Sequence, residues 1–463
     1  MKTKYSSLKI LSHQGFHQDY LSPQKTMQEM EDLKSTYSLK FIEEINNWEL
    51  RDFIDWLRKH NLDNLISVYV SGPGEKGKMF CPRKVSNIVT KELLLEKAPI
   101  EEILNILFTT KDSKFFALFD YFQFVQDFIT CFRYFISRRK ILEYFVKKFN
   151  AGDDSDKDRV LIVMQSIAEF GHGEHFRDRK FLEEWNQMCN QFESKSLAHS
   201  KKARALKDYP LANPPTAPDL RNAPDLAVIQ HALKTILDVP HVELARQITI
   251  MTEEKISAVS HLEIIKNHKW SKEGKKDKYR RYSTFNAFNS HISNWLVAQI
   301  FKPISTEERA KVISHVIETA TELSKMYNFN GAYSFFTVLS YSTTEKLKSS
   351  WEIVRLNKKI SKQLQSLSWL FDPSRKSANY RDALSRVPPD VPHIPVIAFK
   401  YGEIISLNEV TSDYCEEHKG WINWYKMEIL ARIARSIKGP RPSYCFKQYP
   451  MIQKFVIESE GWD

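Results

Sequence analysis

The sequence predicts an all-α fold, and two kinds of observation carry this prediction. Apolar residues recur at intervals of three and four in several segments, which is the spacing of one helix face. The clearest such stripe consists of Val312, Ile313, Val316, Ile317, Ala320 and Leu323. A helix start stands before this stripe, because Ser305-Thr306-Glu307-Glu308 has the form of a capping box after Pro303. We therefore expect a helix that begins next to Ser305 and continues through Leu323.

The composition is that of a large globular chain. Of its 463 residues, 42% are hydrophobic, 27% are charged and only 13 are glycine, which argues against a mostly disordered or fibrous protein. A chain of this length buries a sizeable core without help from disulfides or metals. The five cysteines include no CxxC pair, so we expect reduced thiols in the cytosol. No signal peptide and no membrane span are predicted.

Proline density divides the chain into two parts. Five prolines lie between Tyr209 and Pro224, a density that excludes helix interiors and favours an extended linker. The predicted order is an N-terminal extension of unknown role at 1–75, a helical domain at 76–200, a proline-rich linker at 201–226 and a second helical domain at 227–463.

The N-terminal elements follow from local patterns. Residues 48–57 form an amphipathic pattern, and it predicts one helix in the extension. Residues 115–149 are dense in aromatic and aliphatic side chains with isolated polar breaks, which is typical of buried helices. A further helix is expected over 160–170, after the polar segment 153–159.

The C-terminal part reads as helix after helix. The helix that begins near Ser305 should stop at residues 328–331, because the Asn and Gly residues there tolerate left-handed backbone geometry. Another helix is marked by Ile422, Ile429, Ile433 and Ile437, which recur at helical spacing.

The net charge of +11 is concentrated in one place. Between Lys266 and Arg281, eight Lys or Arg residues stand against only Glu273 and Asp277. Three interpretations stay open: a solvated loop, a patch for an anionic membrane and a patch for an acidic partner. Nucleic-acid binding is not expected, because no zinc-finger spacing or RNA-binding signature accompanies the basic run.

Several motifs suggest ligand sites but lack an essential residue. Residues 72–78 match the opening of a phosphate-binding loop, but Met79 replaces the hydroxyl residue and Pro82 blocks the following helix. Residues 154–158 have calcium-loop spacing without the required glycine and terminal glutamate. Residues 172–175 contain two histidines with no third ligand in sight. We therefore predict no metal site and no cofactor, and no nucleophilic triad stands out.

One apolar stretch leads into a short helix that carries a different kind of candidate site. Ile405 and Glu409 lie four residues apart near its end and so share one helix face. An apolar knob beside a carboxylate suits a protein that disturbs a Mg²⁺–phosphate site, since the knob excludes metal and water while the carboxylate competes for groups that hold phosphate. From the pattern alone, an Ile–Glu pair at this spacing is more typical of the edge of a helix core.

Seven motifs in order resemble the catalytic domain of Ras-type guanine-nucleotide exchange factors. They are VPHVELARQITIM (239–251), Trp270 after HLEIIKNHK, FNSHISNW (288–295), YNFNGAYSFFTVLS (327–340), YRDAL (380–384) before PHIPVIAFKYGEIISLNE (392–409), INWYKMEILARIARSI (422–437) and YCFKQYPMIQKF (444–455). The resemblance covers roughly residues 235–460. Upstream, the aromatic stretch that ends at Phe149 resembles the Ras exchanger motif domain that accompanies this catalytic domain.

The resemblance implies a function and assigns roles to four residues. It implies an all-helical domain whose helical hairpin opens the nucleotide site of a Ras-like or Rap-like GTPase, without covalent chemistry and without a cofactor or metal of its own. Ile405 would be the apolar wedge near the Mg²⁺ site, and Glu409 would contact the phosphate loop. Val396 would line the pocket for a switch aromatic, and Asn330 would belong to the same interface.

Two departures from the family pattern leave a second function open. Val396 stands where the family commonly has an aromatic residue, and residues 385–395 are about two longer than usual. The alternative is a scaffold that binds a Ras-like GTPase, or an anionic membrane through Lys266–Arg281, without accelerating exchange. The expected location is cytoplasmic, with peripheral contact at the inner face of the plasma membrane.

Overall fold

The computed structural model describes residues 80–85, 88–108, 120–170, 174–208, 233–416, 418–439 and 441–458. Helices dominate these residues, which confirms the all-α prediction. The extension at 1–75 with its predicted helix, the loop at 72–78 and the prolines of 209–224 lie outside the described residues. No helix in the described ranges is both long enough and apolar enough to cross a membrane.

The described residues form helices of up to six helical turns, joined by connecting segments. The helices are α1 (Ile100–Leu107), α2 (Tyr121–Cys131), α3 (Arg138–Ala151), α4 (Asp154–Phe170), α5 (Arg179–Lys195), α6 (Ser200–Asp208), α7 (His241–Ala258), α8 (His261–Lys272), α9 (Arg280–Phe301), α10 (Thr306–Lys325), α11 (Phe329–Leu339), α12 (Ser342–Glu345), α13 (Lys348–Leu356), α14 (Lys358–Leu370), α15 (Ser374–Ser385), α16 (Ile397–Val410), α17 (Trp424–Ile437) and α18 (Pro450–Glu458). The strands are β1 (Phe80–Val85), β2 (Ile88–Leu95), β3 (Lys97–Ala98) and β4 (Ile422–Asn423).

The chain forms two compact units, and the first consists of residues 1–123 together with 415–425. Its described part contains the antiparallel pair β1–β2, with Phe80 opposite Leu95. A second antiparallel pair joins β3 to β4, so that Ala98 lies opposite Ile422. Ile422 is therefore in a strand, and the helix that it was expected to mark begins only at Trp424.

The second unit consists of residues 124–414 and 426–463 and contains two aromatic and aliphatic cores. One core lies among α2–α5, where Phe149 and Phe192 stack with ring centroids 3.9 Å apart. The other core surrounds α10, whose predicted stripe is confirmed because all six of its residues are buried. The predicted start is confirmed as well, since the Ser305 hydroxyl accepts the Glu308 N–H at 3.1 Å. Burial of apolar surface stabilises these layers by about 25 cal/mol per Å².

The end of α10 differs from the prediction. The helix stops at Lys325 instead of continuing to residues 328–331. The left-handed residue is Tyr327, with φ of 58°, and not an Asn or Gly. Asn328 instead starts the next helix, because its side chain accepts the Gly331 N–H at 2.9 Å. An Asn can cap the start of a helix as readily as it can end one, and Asn328 here caps the next helix.

Buried charges connect α2 and the turns that follow it to the C-terminal helices of the same unit. Asp127, only 1% exposed, forms an ion pair with Arg435 of α17. Glu174 pairs with Arg133 at 3.3 Å and with His261 of α8 at 3.0 Å. Because an unpaired buried charge is costly, these pairs fix α8 and α17 against the helices that precede them in the chain.

Candidate functional site

The start of α16 is held by the corner between α10 and α11. The Ile394 N–H donates to the Tyr327 carbonyl at 2.9 Å, and the Ile394 carbonyl accepts the Phe329 N–H at 2.9 Å. The left-handed geometry of Tyr327 turns the chain so that this exchange of hydrogen bonds is possible. Asn328 stabilises the corner from below, because its side-chain amide donates to the Thr249 hydroxyl of α7 at 3.0 Å. The segment before α16 is therefore fixed by backbone hydrogen bonds on both sides.

Asn330 connects this corner to the first turn of α16. Its side-chain oxygen accepts the Ile397 N–H at 3.2 Å, and its amide donates to the Asn289 side-chain oxygen at 2.9 Å. An N–H in the first turn of a helix has no partner within the helix, so Asn330 supplies one from a neighbouring helix. The residue is 6% exposed. In this structure the side chain orients α16; its predicted contact with a GTPase stays a prediction.

Val396 lies in the core and not on a surface. Its side chain is 0% exposed and belongs to the cluster around α10, and its N–H donates to the Tyr380 hydroxyl at 2.8 Å. Burial raises the pKa of Tyr380, so the phenol stays neutral at pH 7. The structure thus brings Val396 together with Asn330 at the root of α16, and places neither on the outer face of that helix. A partner could reach Val396 only after the core opened.

Ile405 and Glu409 lie on the outer part of α16. The residues that this helix buries are Ile397 and Ile404, whereas Ile405 is half-buried and Glu409 is exposed. Val410, next to Glu409, is 82% exposed. Glu403 on the same helix is paired with Lys400 at 3.0 Å. The four predicted residues therefore divide into two groups: an exposed apolar-and-acid face formed by Ile405 and Glu409, and a buried root formed by Asn330 and Val396.

Helix α8 packs beside α16 and brings a histidine near the exposed face. Burial lowers the pKa of His268 and the charge of Lys272 lowers it further, while the Glu409 carboxylate opposes both. The imidazole is therefore neutral at pH 7. The sequence did not single out His268, since nothing in its own segment indicates that α8 lies along α16.

The predicted basic run is divided by the fold. Lys266 donates to the Tyr134 carbonyl at 2.8 Å and lies 4.1 Å from the Tyr134 ring centroid. Lys269 binds Asp413, whose carboxylate also accepts the Tyr134 hydroxyl at 2.7 Å. In the rest of the run, the residues whose exposure the structure describes include five exposed basic side chains: Lys272, Lys275, Lys278, Arg280 and Arg281. The exposed basic patch is therefore residues 272–281.

Asp413 connects the end of α16 to the start of α17. Lys426, whose side chain is 0% exposed, donates to the Thr411 carbonyl at 2.5 Å and to Asp413 at 2.8 Å. Burial alone would raise the pKa of Asp413, but hydrogen bonds from Lys269, Lys426 and Tyr134 hold it below its usual value. The carboxylate is thus ionised at neutral pH and neutralises a buried lysine.

The motifs that lacked an essential residue gain no support as ligand sites. Asp154 and Asp156 lie in the first turn of α4, a helix rather than a calcium loop. Of the segment 172–175, Glu174 is committed to His261 and Arg133, and residues 172–173 lie outside the described ranges. Among the residues that the structure describes, no group of three or more His, Cys, Asp or Glu side chains could hold a metal.

Comparison with known proteins finds a family model that matches part of this chain. Residues 243–428 match the RasGEF domain. That range includes Asn330, Val396, Ile405 and Glu409, and it extends from α7 into α17.

Three curated relatives show the extent of the similarity. Ras guanine nucleotide exchange factor Q of Dictyostelium discoideum is 28% identical over 225 residues, which are 49% of this chain and 16% of that protein. Rap guanine nucleotide exchange factor 6 of Homo sapiens is 27% identical over 164 residues, 34% of this chain and 10% of that protein. Ras guanine nucleotide exchange factor P of Dictyostelium discoideum is 23% identical over 390 residues, 77% of this chain and 24% of that protein. The chain thus spans a quarter or less of the length of each of these relatives.

Proposed function

Because residues 243–428 match the RasGEF domain, we propose that this chain catalyses guanine-nucleotide exchange on a Ras-family small GTPase, of the Ras or Rap type. The names of the relatives, which include both Ras and Rap exchange factors, support this partner class. No bond is made or broken in the GTPase or its nucleotide. The exchange factor binds the nucleotide-free GTPase, and by reciprocal linkage that binding lowers the affinity for GDP. GTP then fills the empty site.

The observation that carries the proposal is the exposed face of α16. Ile405 and Glu409 share that face, and neither belongs to the buried core. In the bound state Ile405 displaces water and Mg²⁺ from the GTPase, and Glu409 attracts the hydroxyl or ammonium groups that Mg²⁺ and phosphate release. Such a carboxylate accelerates release most when its position is preorganised, since no reorganisation is then needed at the moment of release. The chemistry needs no cofactor from the exchange factor, and the Mg²⁺ involved belongs to the substrate.

The test is release of a fluorescent guanine nucleotide from Ras, Rap, Ral and Rho GTPases, with and without this chain. We expect acceleration on one Ras-subfamily member. Glu409→Ala should slow that release at least tenfold without changing the denaturation midpoint, because the side chain is exposed. Glu403→Ala is the matched control: it removes an exposed carboxylate of the same helix that is already paired with Lys400, and release should change less than twofold.

Two results would contradict the proposal in different ways. If the chain formed a stable complex with a nucleotide-free GTPase and left release unchanged, the scaffold alternative would replace the exchange activity. If the wild type accelerated release and Glu409→Ala matched it, the exchange function would stand and the role of Glu409 would be wrong. The complete burial of Val396 is the structural observation that favours the scaffold, because a closed pocket cannot receive a switch aromatic.

For the regions outside the matched range, we propose the domain order deduced from the sequence. Residues 76–200 would form a Ras exchanger motif-like domain, 201–226 the linker and 227–463 the catalytic domain. The similarity over 390 residues supports a match that extends beyond residues 243–428. Helix α6 occupies residues 200–208, so a linker of this extent would begin with a helical segment.

We further propose a cytoplasmic location with peripheral binding to anionic lipid at the inner face of the plasma membrane. The exposed basic patch 272–281 supports it, because five basic side chains described as exposed there stand beside only Glu273 and Asp277. Each basic residue near an anionic surface contributes about 1 kcal/mol. Reversing Lys272, Lys275 and Lys278 to Glu should therefore weaken binding to phosphatidylserine vesicles by at least about a hundredfold.

The matched control for lipid binding makes the same change in net charge at a different place on the surface. Reversing the exposed residues Lys348, Lys358 and Lys362 alters the chain charge equally on α13 and α14. Equal loss of vesicle binding in both triple variants would contradict a role for the basic patch.

A further inference from the structure

Helices α16 and α17 are joined at both ends, and the join at the root depends on one arginine. At the far end, Lys426 of α17 binds the Thr411 carbonyl just beyond α16. At the root, the Arg441 guanidinium donates from Nη1 to the His393 carbonyl at 2.9 Å. From Nη2 it donates to the Ser436 carbonyl at 3.2 Å and to the Ile437 carbonyl. His393 precedes α16 by four residues, and Ser436 and Ile437 end α17. Arg441 therefore connects the beginning of one helix to the end of the other.

The chemistry of this contact suits arginine in particular. The last carbonyls of a helix have no partner within the helix and carry partial negative charge, so a cation there is stabilising. The planar guanidinium presents donors in fixed, diverging directions and can serve carbonyls of two segments at once. A lysine ammonium is a compact point charge on a flexible stem and fixes no relative orientation of those segments.

The surroundings of Arg441 hold it in place and keep it charged. Burial lowers its pKa to about 10, and Tyr444, Glu253 and Tyr380 oppose that shift, so the guanidinium is ionised at neutral pH. Tyr444 fixes the segment on two sides, because its N–H donates to Glu253 at 3.1 Å and its hydroxyl donates to the Met326 carbonyl at 2.7 Å. Burial and the Arg441 charge together lower the pKa of His393 to about 4, so this imidazole adds no second positive charge.

The root controls where the exposed face points. Glu409 lies 12 residues beyond Ile397, which is about 18 Å along a helix at 1.5 Å per residue. A rotation of about 5° at the root would therefore move the Glu409 end by about 1.5 Å. A misplacement of about 1 Å at a reacting centre can cost about a hundredfold in rate. The hydrogen bonds at the start of α16 are therefore expected to affect the rate of exchange as well as stability.

We propose that Arg441 is a positioning residue for nucleotide exchange: it fixes the root of the α16–α17 pair and thereby aims Ile405 and Glu409. The inference rests on the exchange function proposed above. Arg441 touches neither the GTPase nor the nucleotide and acts through the helix that carries Glu409. Replacing the Arg441 guanidinium should leave the fold intact and loosen the first turn of α16.

The first test uses the free protein and no GTPase. Amide hydrogen exchange is compared for the wild type, Arg441→Gln, Arg441→Lys and the control Arg309→Gln, which removes a guanidinium that donates to the Pro303 carbonyl at 2.8 Å at the start of α10. Both Arg441 variants should exchange at least tenfold faster over residues 394–410, with smaller changes in protection elsewhere. Arg309→Gln should leave 394–410 as in the wild type. If protection of 394–410 is unchanged in both Arg441 variants, the proposal is wrong.

The second test measures nucleotide release against GTPase concentration. Arg441→Gln should lower the maximal rate about tenfold or more and change the half-saturating GTPase concentration less than threefold, because the rest of the binding surface is intact. In a Glu409→Ala background the same substitution should have little further effect, since both changes act through one helix. Fully additive losses, or a wild-type maximal rate in an Arg441 variant whose α16 is loosened, would overturn the positioning role.

The two tests separate the inference from the proposed function. Loosening of 394–410 in Arg441→Gln, combined with a wild type that releases nucleotide from no GTPase, would refute the exchange function while the structural join at the root held. Should Arg441→Gln fail to fold, Arg441→Lys keeps the charge and supplies the same comparison.

Discussion

Glu253, near the end of α7, offers a test of the electrostatics around the root of α16. Burial raises its pKa from 4.5 to about 7, against the opposing effects of the Tyr444 N–H, Arg441 and Ser443. Its carboxylate accepts the Tyr444 N–H at 3.1 and 3.2 Å. The perturbation that tests this environment is Glu253→Gln, which keeps an oxygen for that bond and never ionises.

The sign follows from proton linkage. The folded state holds the Glu253 proton more tightly than the unfolded chain, so this group stabilises the fold at low pH and loses that contribution as pH rises through about 7. With a pKa of about 7 folded and 4.5 unfolded, the contribution falls by about 2.5 kcal/mol between pH 5 and pH 8. In Glu253→Gln that part of the pH dependence is absent, and every other titrating group cancels in the comparison.

The assay is denaturant unfolding of both proteins at pH 5, 6, 7 and 8. Relative to wild type, Glu253→Gln should gain about 2.5 kcal/mol in free energy of unfolding from pH 5 to pH 8. Glu254→Gln is the control, because it makes the same carboxyl-to-amide change at a neighbouring side chain that is 70% exposed. A Glu253→Gln difference that did not change across this range, or that fell, would show that the carboxyl is not held at a raised pKa.

Three further substitutions test individual contacts by the shift in free energy of unfolding. Asn330→Ala should cost about 2 kcal/mol, because the Ile397 N–H loses its acceptor. The control Asn294→Ala, at an exposed residue of α9, should cost less than about 0.5 kcal/mol, and equal costs would contradict the link from Asn330 to α16. Asp127→Ala should cost about 3–5 kcal/mol by leaving Arg435 unpaired. Adding Arg435→Met should recover part of this loss, and no recovery would mean that the unpaired charge does not cause it. Val396→Ala should cost about 2 kcal/mol through the cavity it leaves, and an unchanged midpoint would contradict its place in the core.

The helices could be predicted wherever one segment carries its own start signal and its own apolar stripe. Ser305 and the stripe through Leu323 meet both conditions, and α10 begins where expected. Its end was misplaced because an Asn before Gly is compatible with two uses, and tertiary hydrogen bonds from Ile394 decide between them. Strands β3 and β4 escaped prediction because they are two residues each and pair across more than 300 positions of chain.

The candidate site could be predicted in part for the same reason. Ile405 and Glu409 lie on one helix, so their spacing alone places them on one face. The burial of Val396 depends on Tyr380 and the core around α10, and the role of Asn330 depends on Asn289. No local pattern reports contacts between segments that are distant along the chain.

The root and the exposed face of α16 differ in how substitution should affect them, which follows from what holds each. The face consists of side chains with few internal contacts, so Ile405 and Glu409 can change at little cost in stability and large cost in exchange. The root consists mainly of bonds to backbone groups, from Asn330, Tyr380 and Arg441. Because a backbone N–H or carbonyl is present whatever the residue, substitutions at His393 or Ile397 that keep size and polarity should preserve these bonds, whereas loss of the donor or acceptor side chain should not. Exchange and stability should therefore decline together for changes at the root and separately for changes on the face.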